Sequence, residues 1–505
     1  MAQELNDYEK ARLRNIRKNE EILAALNLPS LGLSGGRMGQ EGSPAASHQG
    51  KSKAKPAKEP LDPKYLRRSS RLRSPAGQEE GLEKGLGEKG GKREAEAQSL
   101  IPSKRPRLTG NLPFHDVSND SDTSFVPRVS STLLAAEENK ERVPRLMDPD
   151  QEDHQETWDR LVCTHRHQTV KVVSKRVYST AFHPQPQPLV VAAGDKEGNL
   201  GLWRVHGLEG VPEEATEKVK EKGPTPLIHS WRPHYNAIVD LEWVDQGSSL
   251  LTAAYDTSIR RFDPGKEMFE DVWEGDEEEI GLLASMDATH YPVIWYSTHT
   301  GKVGRRDVRV KGGDKEESWD VLEDKIGCLQ LNPRQTHYLA TASRDRAMRI
   351  WDIRALKSRD SEALVEIAHG KSVTSAYWDP SGTRVVTTSH DNHVRVFRQW
   401  DGTGFQDQTS MHHDNQTGRW LTMFRARWNP VYEQSPVFTI ASKDRGVEVF
   451  SEQCVKHWRG DDRDRLTTVP AVSTFHPTVD AISGANTSGH MLVWDGGYEE
   501  DVIVR

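Results

Sequence analysis

From about residue 158 onward, apolar and polar residues alternate in short runs that stop and restart at a regular interval. Three segments show the unit: "VYSTAFHPQPQPLVVAAGDKEGNLGLWRV", "IGCLQLNPRQTHYLATASRDRAMRIWDIR" and "VTSAYWDPSGTRVVTTSHDNHVRVFRQW". Each holds an alternating run, a turn marked by Pro, a second apolar run ending in small residues, a polar turn and a third run. Alternation with period two sends successive side chains to opposite faces of an extended chain, so each run predicts a short strand. The third runs reach Trp203, Phe262, Arg306, Trp351, Phe397, Phe450 and Trp494, at intervals of 59, 44, 45, 46, 53 and 44 residues.

A period of about 40–45 residues, built from short strands with Trp-Asp endings, is the signature of WD40 repeats. Seven such units close into a ring of radial blades that leaves few exposed sheet edges. The predicted fold is therefore all-β, a seven-bladed WD40 β-propeller over residues 151–505. The surplus piece "RHQTVKVVSK" (166–175) is expected to supply the outer strand of the last blade, because few residues follow Trp494. The same register explains several polar residues. His234 and His369 stand where a blade His bonds the turn Asp and a small hydroxyl residue, and Asp256, Ser343, Asp345 and Asp391 belong to similar internal networks.

The N-terminal third reads differently. Residues 5–28 space Leu5, Tyr8, Leu13, Ile16, Leu23 and Leu26 mostly three to five apart, which predicts a helix ended by Pro29. That helix, within a unit 1–29, either docks on the propeller or a partner or touches nucleic acid. Residues 30–150, as in "GLSGGRMGQEGSPAASHQGKSKAKPAKEP", are poor in aromatics and are expected to be a disordered basic tail. Within it, "RRSSRLRS" (67–74) and "KRPR" (104–107) suit nuclear import, nonspecific phosphate contact or a plain solvated tail. Phosphorylation of Ser69, Ser70 or Ser74 would weaken phosphate contacts.

Charge sharpens this division. Residues 1–110 carry 22 Lys and Arg against 14 Asp and Glu, whereas residues 111–505 carry 46 against 62. A basic arm thus precedes an acidic body, and any nucleic acid bound by the body must find a local patch. Cys163, Cys328 and Cys454 form no C-x-x-C pair, which fits a reduced intracellular protein rather than a disulfide framework or zinc site. No run of about 18 apolar residues suggests a membrane span. Phosphate-binding, zinc-protease and nucleophile-elbow motifs are all missing, so no enzyme, cofactor or metal is expected.

Writing each blade as strands a to d from the axis outward sorts its loops between two faces. The d–a and b–c connections share the top face; the a–b and c–d connections share the bottom. The b–c turns bear Lys196, Tyr255, His299, Arg344, His390, Lys443 and Thr487, none of them acidic. The d–a connections add Lys175, Arg176, Lys325 and Arg419, with Trp420 beside the last. Cations there would neutralise phosphates and release counterions, and an exposed Trp would stack on a base. The alternative is that Trp420, placed just before a strand "LTMFRARW", caps the core. On the bottom rim, Trp351-Asp352-Ile353-Arg354 and the Asp-x-Arg ending at Arg309 project from c–d connections. Their plain role is to close blades.

The helix "YEKARLRNIRKNEEILAALNL", the tail "RRSSRLR", the first blade "RVYSTAFHP…GDKEGNLGLW" and the loop "DNQTGRWLTMFRARWNP" together resemble the WD-repeat protein 76 family, whose fungal members are the changed-mutation-rate DNA-binding proteins. DNA damage-binding protein 2 is a wider relative. The resemblance implies a nuclear protein of genome maintenance that binds double-stranded DNA and prefers ultraviolet-damaged duplex. It also implies that Gly418-Arg419-Trp420 is a minor-groove probe and that Lys175, Arg176, Lys196 and Lys325 hold phosphates, with Arg344 and Lys443 on the same face. Here the probe triplet is Gly-Arg-Trp, whereas the wider relative has aromatic–amide–imidazole. The pattern over 339–354 also looks like a box by which propellers dock on the damage-binding adaptor of cullin-4 ubiquitin ligases. That implies a second expectation: a ligase substrate receptor or chromatin scaffold docking through Arg309, Trp351, Asp352 and Arg354, with chromatin proteins as partners.

Overall fold

The computed structural model describes residues 108–119, 155–163, 165, 170–209, 225–275, 281–310, 316–358, 361–418, 420–462 and 464–496. All of them belong to one compact unit, Lys92–Arg505. The helix expected at 5–28, both basic clusters and Arg419 lie outside the described residues.

Seven antiparallel sheets form the blades of a β-propeller. Blade 1 comprises Val177–Phe182, Val190–Asp195, Leu200–Glu209 and Thr225–Trp231. Blade 4 comprises Ile326–Leu331, Tyr338–Ser343, Ala347–Asp352 and Val365–Ala368. Blade 5 follows with Val373–Trp378, Val385–Ser389, His393–Trp400 and Phe405–His412. Every residue of the b strands Val190–Asp195, Ser249–Ala254 and Val437–Ser442 is buried, because neighbouring blades cover both faces. Small residues follow from that crowding. A Cβ on Gly194 would lie 2.7 Å from the Ile238 side chain of blade 2.

Trp203, Phe262, Trp351, Phe397, Phe450 and Trp494 lie within the c strands as buried wedges. Blade 3 has Arg306 at this position, and its apolar stack is instead Trp295 against Trp319, 5.9 Å apart. In blade 2 the buried His234 lies 3.1 Å from Asp256 and 2.8 Å from the Thr252 hydroxyl, and Ser258 donates to Asp256 at 2.6 Å. Blade 5 departs from that network. His369 keeps the hydroxyl contact, 3.0 Å to Thr387, but Asp391 accepts from Arg395 at 2.7 Å and from the Gly370 amide at 2.9 Å. An Arg two residues before the Phe397 wedge takes the Asp that His would otherwise hold.

The ring closes as the surplus N-terminal piece requires. Val170–Lys171 pairs with the c strand of blade 7, Val170 opposite Met491 and Lys171 opposite His490. Upstream, the helix Gln155–Arg160 buries Trp158 against Tyr432 and Phe475.

Residues 108–119 correct the expectation of a wholly disordered tail. Leu112–Pro113 adds a fifth strand to blade 2, opposite Phe269 and Met268. The turn Phe114–Val117 drops Phe114 among Trp231, Phe262 and Phe269, with ring centroids 4.8–5.2 Å away. The buried Arg260 guanidinium donates to the carbonyls of Gly110 and Leu108 at 2.6 and 2.7 Å. Composition averaged over a long polar tail hides Leu108, Leu112, Phe114 and Val117, in a segment that pairs with the outer strand of blade 2 and then, at Val117–Asn119, with that of blade 1. Two strand residues would not order alone; the existing sheet supplies the template.

Candidate nucleic-acid interface

Backbone hydrogen bonds bear out the sorting of loops. The b–c turn amides of Lys196, Arg344 and His390 donate to the d–a carbonyls of Arg176, Lys325 and Ser372 at 2.9, 2.9 and 3.0 Å. Each pair joins the two connections of one blade, so Lys196 sits beside Arg176 and Arg344 beside Lys325 on one face.

The connection between blades 5 and 6 dominates that face. Its first half is fixed to blade 5: the Asn415 amide group donates to the carbonyls of Ser389 and His393 at 3.0 and 3.3 Å, and the Gln416 amide group bonds the His390 carbonyl. Its second half reaches blade 1. Arg176 donates to the Leu421 carbonyl at 3.2 Å, and the Thr422 hydroxyl donates to the Val177 carbonyl at 2.5 Å. Blade 1 lies two blades beyond the loop's own, so the chain crosses the mouth of the central channel. Between these anchors stands Trp420, 72% exposed. It does not cap the core; Phe424, 1% exposed, does that.

The strand expected to start right after Trp420 begins only at Arg427. Residues 421–426 run as irregular chain, because their hydrogen bonds go to other blades. The Phe424 carbonyl accepts from Thr374 at 3.1 Å, and the Ala426 amide donates to Thr388 at 3.0 Å. Arg425 turns inward, donating to the Tyr377 hydroxyl at 3.3 Å and the Gly327 carbonyl at 3.2 Å, and lies 3.8 Å from Asp240.

The expected phosphate anchors differ in availability. Lys196 is exposed. Lys175 pairs with Glu197 at 3.6 Å, Arg344 with Asp324 at 2.8 Å and Lys443 with Asp414 at 2.8 Å. Surface pairs of this kind contribute about 0–1 kcal/mol, so a phosphate competes with them at small cost. Lys325 is half-buried, its ammonium 3.3 Å from the Tyr255 hydroxyl and 5.2 Å from that ring's centre. Burial, then Arg425 and Arg344, push the Lys325 amine down to about 8. Burial, then Lys325 and Arg344, push His299 down to about 4. Lys325, Arg344, Arg425 and the His299 ring thus lie close together on this face, although the body as a whole is acidic.

Sequence reading missed Arg425, Arg427 and Tyr377. Arg427 lies 3.8 Å over the Tyr377 ring and 3.5 Å from Asp240. Two Arg inside an apolar run were the available signal. Below them the channel encloses a cavity of about 350 Å³, lined in part by Asp240, Glu242, Asp287 and Trp428. Burial, with Asp287 and Asp240 nearby, raises the Glu242 carboxyl well above its usual range. Among the described residues no group of His, Cys, Asp and Glu could hold a metal ion.

On the bottom rim, Arg309 and Arg354 form matching forks. Each Arg donates through Nε and Nη2 to the Asp two residues earlier, Asp307 or Asp352, at 2.9 and 2.6 Å, and each side chain is 67% exposed. Trp351 differs from the other residues expected at a docking surface. It is buried, with Nε1 donating to Thr341 at 2.9 Å, and so acts as a blade wedge.

A family model described as WD domain, G-beta repeat matches residues 321–352 and 362–398, within blades 4 and 5. Among curated proteins, the chain is similar to DNA damage-binding protein CMR1 of Chaetomium globosum, 32% identical across 64% of this chain and 65% of that protein. The CMR1 of Phaeosphaeria nodorum is 30% identical across 97% of this chain and 98% of its own length. That of Emericella nidulans is 30% identical across 97% and 99%. With that coverage joined to a seven-bladed WD40 propeller, the chain belongs to the family of DNA damage-binding protein CMR1.

Proposed function

We propose that this protein binds duplex DNA in the nucleus through the top face of its propeller, with a preference for damaged duplex. The observation that carries the reading is an anchored loop presenting Trp420 to solvent amid Lys196, Arg176, Lys325 and Arg344. The names of the curated relatives support it. Cations would set affinity through counterion release, and an indole would gain most where bases are already poorly stacked. Binding, with no chemistry on the DNA, is all this face requires.

The test is fluorescence anisotropy with intact and ultraviolet-irradiated duplexes over a salt series. Lys196→Glu with Lys175→Glu should weaken both complexes alike and flatten the salt slope by about 1–2. Trp420→Ala should lower the preference for irradiated duplex and leave the slope unchanged. Unaltered binding by the charge reversals would move the activity off this face, and an unaltered preference in Trp420→Ala would dismiss the loop as probe.

The paired forks favour a second reading on the opposite face: docking on the damage-binding adaptor of cullin-4 ligases, or on chromatin proteins, through Arg309 and Arg354. Here Trp351 only holds the strand that carries Asp352. Adaptor capture should be lost in Arg309→Ala with Arg354→Ala; capture that persists would reject the forks. The two readings use different faces and are compatible.

A further inference from the structure

Between the b–c turns of blades 4 and 5 the top face sinks into a concavity of about 460 Å³. Arg344 and Arg346 stand on one side, Lys371 and Ser372 come from the connection between the blades, and His390 forms the far wall. These loops are held by their own backbone. The Arg346 carbonyl accepts from the His369 amide at 2.7 Å, the Arg344 carbonyl from Ser372 Oγ at 3.1 Å and the Lys371 carbonyl from Ser389 Oγ at 3.0 Å. Arg344, Arg346 and Lys371 are all exposed.

The carboxylates at the site are already engaged. Asp324 holds Arg344 at 2.8 Å, and Asp345 turns to Arg349 at 2.7 Å and the Ala347 amide at 3.1 Å. Arg346 and Lys371 pair with no carboxylate among the described residues. The concavity is thus shaped, fixed and left with two uncompensated cations. It also lies at the foot of the Trp420 loop, since His390 Nδ1 is 3.2 Å from the Asn415 carbonyl and the Gln416 amide group bonds the His390 carbonyl. On the loop's other flank, Lys443 is drawn to Asp414 at 2.8 Å.

We propose that this concavity is a phosphate subsite, in which Arg346 and Lys371 take a backbone phosphodiester of the strand that passes Trp420. The inference rests on the DNA-binding reading and adds a direction to it: the strand leaves the probe over blades 4 and 5. A planar guanidinium supplies paired donors to two phosphate oxygens and an ammonium adds a point charge, a combination suited to a tetrahedral anion.

The experiment compares the full chain with Arg346→Glu/Lys371→Glu, and with the milder Arg346→Gln/Lys371→Gln. Thermal melts confirm folding, and the probes are an open duplex bearing 5′-phosphates and a dumbbell duplex without ends. The reversal should cut affinity for both DNAs tenfold or more and reduce the salt slope by about 1–2, with the Gln pair between it and wild type. A wild-type slope in the reversal variant, alongside a reduced slope in Lys196→Glu, would overturn the subsite while leaving the face intact. Loss confined to the open duplex would overturn the phosphodiester assignment in favour of a terminal phosphate. A wild-type chain that binds neither DNA would remove the DNA-binding reading itself.

Discussion

Raising the pH from 7 to 9 should weaken DNA binding about tenfold through one side chain, Lys325. Its ammonium is half-buried against Tyr255, with burial, Arg425 and Arg344 bringing it down to about 8. The groups around it hold their charge over this range. Burial pushes Tyr255 up to about 12 and burial, Lys325 and Arg344 push His299 down to about 4, so both stay neutral, while Arg425 is raised further above its usual range and stays cationic. A phosphate beside Lys325 would return its amine towards the ordinary value near 10.5. Near pH 7 and below, most of the free protein already carries the proton and affinity is nearly constant. At pH 9 only about a tenth of free molecules carry it, so binding must take up a proton and loses about 1.4 kcal/mol.

The assay is anisotropy at pH 7, 8 and 9 under constant ionic strength, for wild type and Lys325→Arg, which cannot lose its charge in this window. Wild type should fall with a slope approaching one proton per complex; the Arg variant should stay flat. Unfolding is a distinguishable cause. Because the folded pKa is depressed, the unfolded chain binds more protons between about 8 and 10.5, so this residue makes folding more favourable as pH rises while binding declines. A flat wild-type profile, or an equally steep one in Lys325→Arg, would refute the linkage.

Phe114→Ala removes a ring buried among Trp231, Phe262 and Phe269 and should cost about 3–5 kcal/mol in urea unfolding, or expose residues 108–119 to protease if the segment undocks first. A loss under about 1 kcal/mol with no new cleavage would mean the fifth strand needs no Phe anchor. Asp256→Ala should cost about 2–4 kcal/mol, since it strips the buried His234 of its carboxylate. Burial alone would raise Asp256, but the bonds from His234 and Ser258 hold it below the usual value. Its contribution is therefore present above about pH 4 and lost as acid titrates the folded state, so acid melts of wild type and variant should converge. Trp420→Ala should leave the melting temperature nearly unchanged, because the ring is largely in solvent.

The fold was legible where a physical period governs it. Period-two runs repeat every 44–46 residues in four of the six intervals between wedges; the other two, 59 and 53, are where loops lengthen. The surplus strand at Val170–Lys171 followed from ring closure. What stayed hidden depends on contacts far apart in sequence. Nothing local marks Leu112–Pro113 as a strand, since its hydrogen-bonding edge belongs to residues 268–269. Arg425 sits in a run that alternates like a strand, yet its partners are Gly327, Tyr377 and Asp240 on three other blades. At the candidate face, register put Lys196 with Arg176 and Arg344 with Lys325 on connections that the backbone joins, but it did not show the ion pairs that Glu197, Asp324 and Asp414 make with the face's cations. Single-position registers count charge at one point of each turn and overlook the acid next to it.

The loop that spans the channel mouth has a thermodynamic consequence. Ordering a flexible loop on contact with a ligand costs about 1–2 kcal/mol per residue in backbone entropy. Here Asn415, Gln416, Leu421 and Thr422 are already tied to blades 5 and 1 before any ligand arrives. The entropy loss is charged to folding, so that little of the energy of contact need be spent on arranging Trp420. A probe mounted in this way would search a duplex by rigid collision, rejecting well-stacked steps in the time of an encounter rather than by refolding around each one.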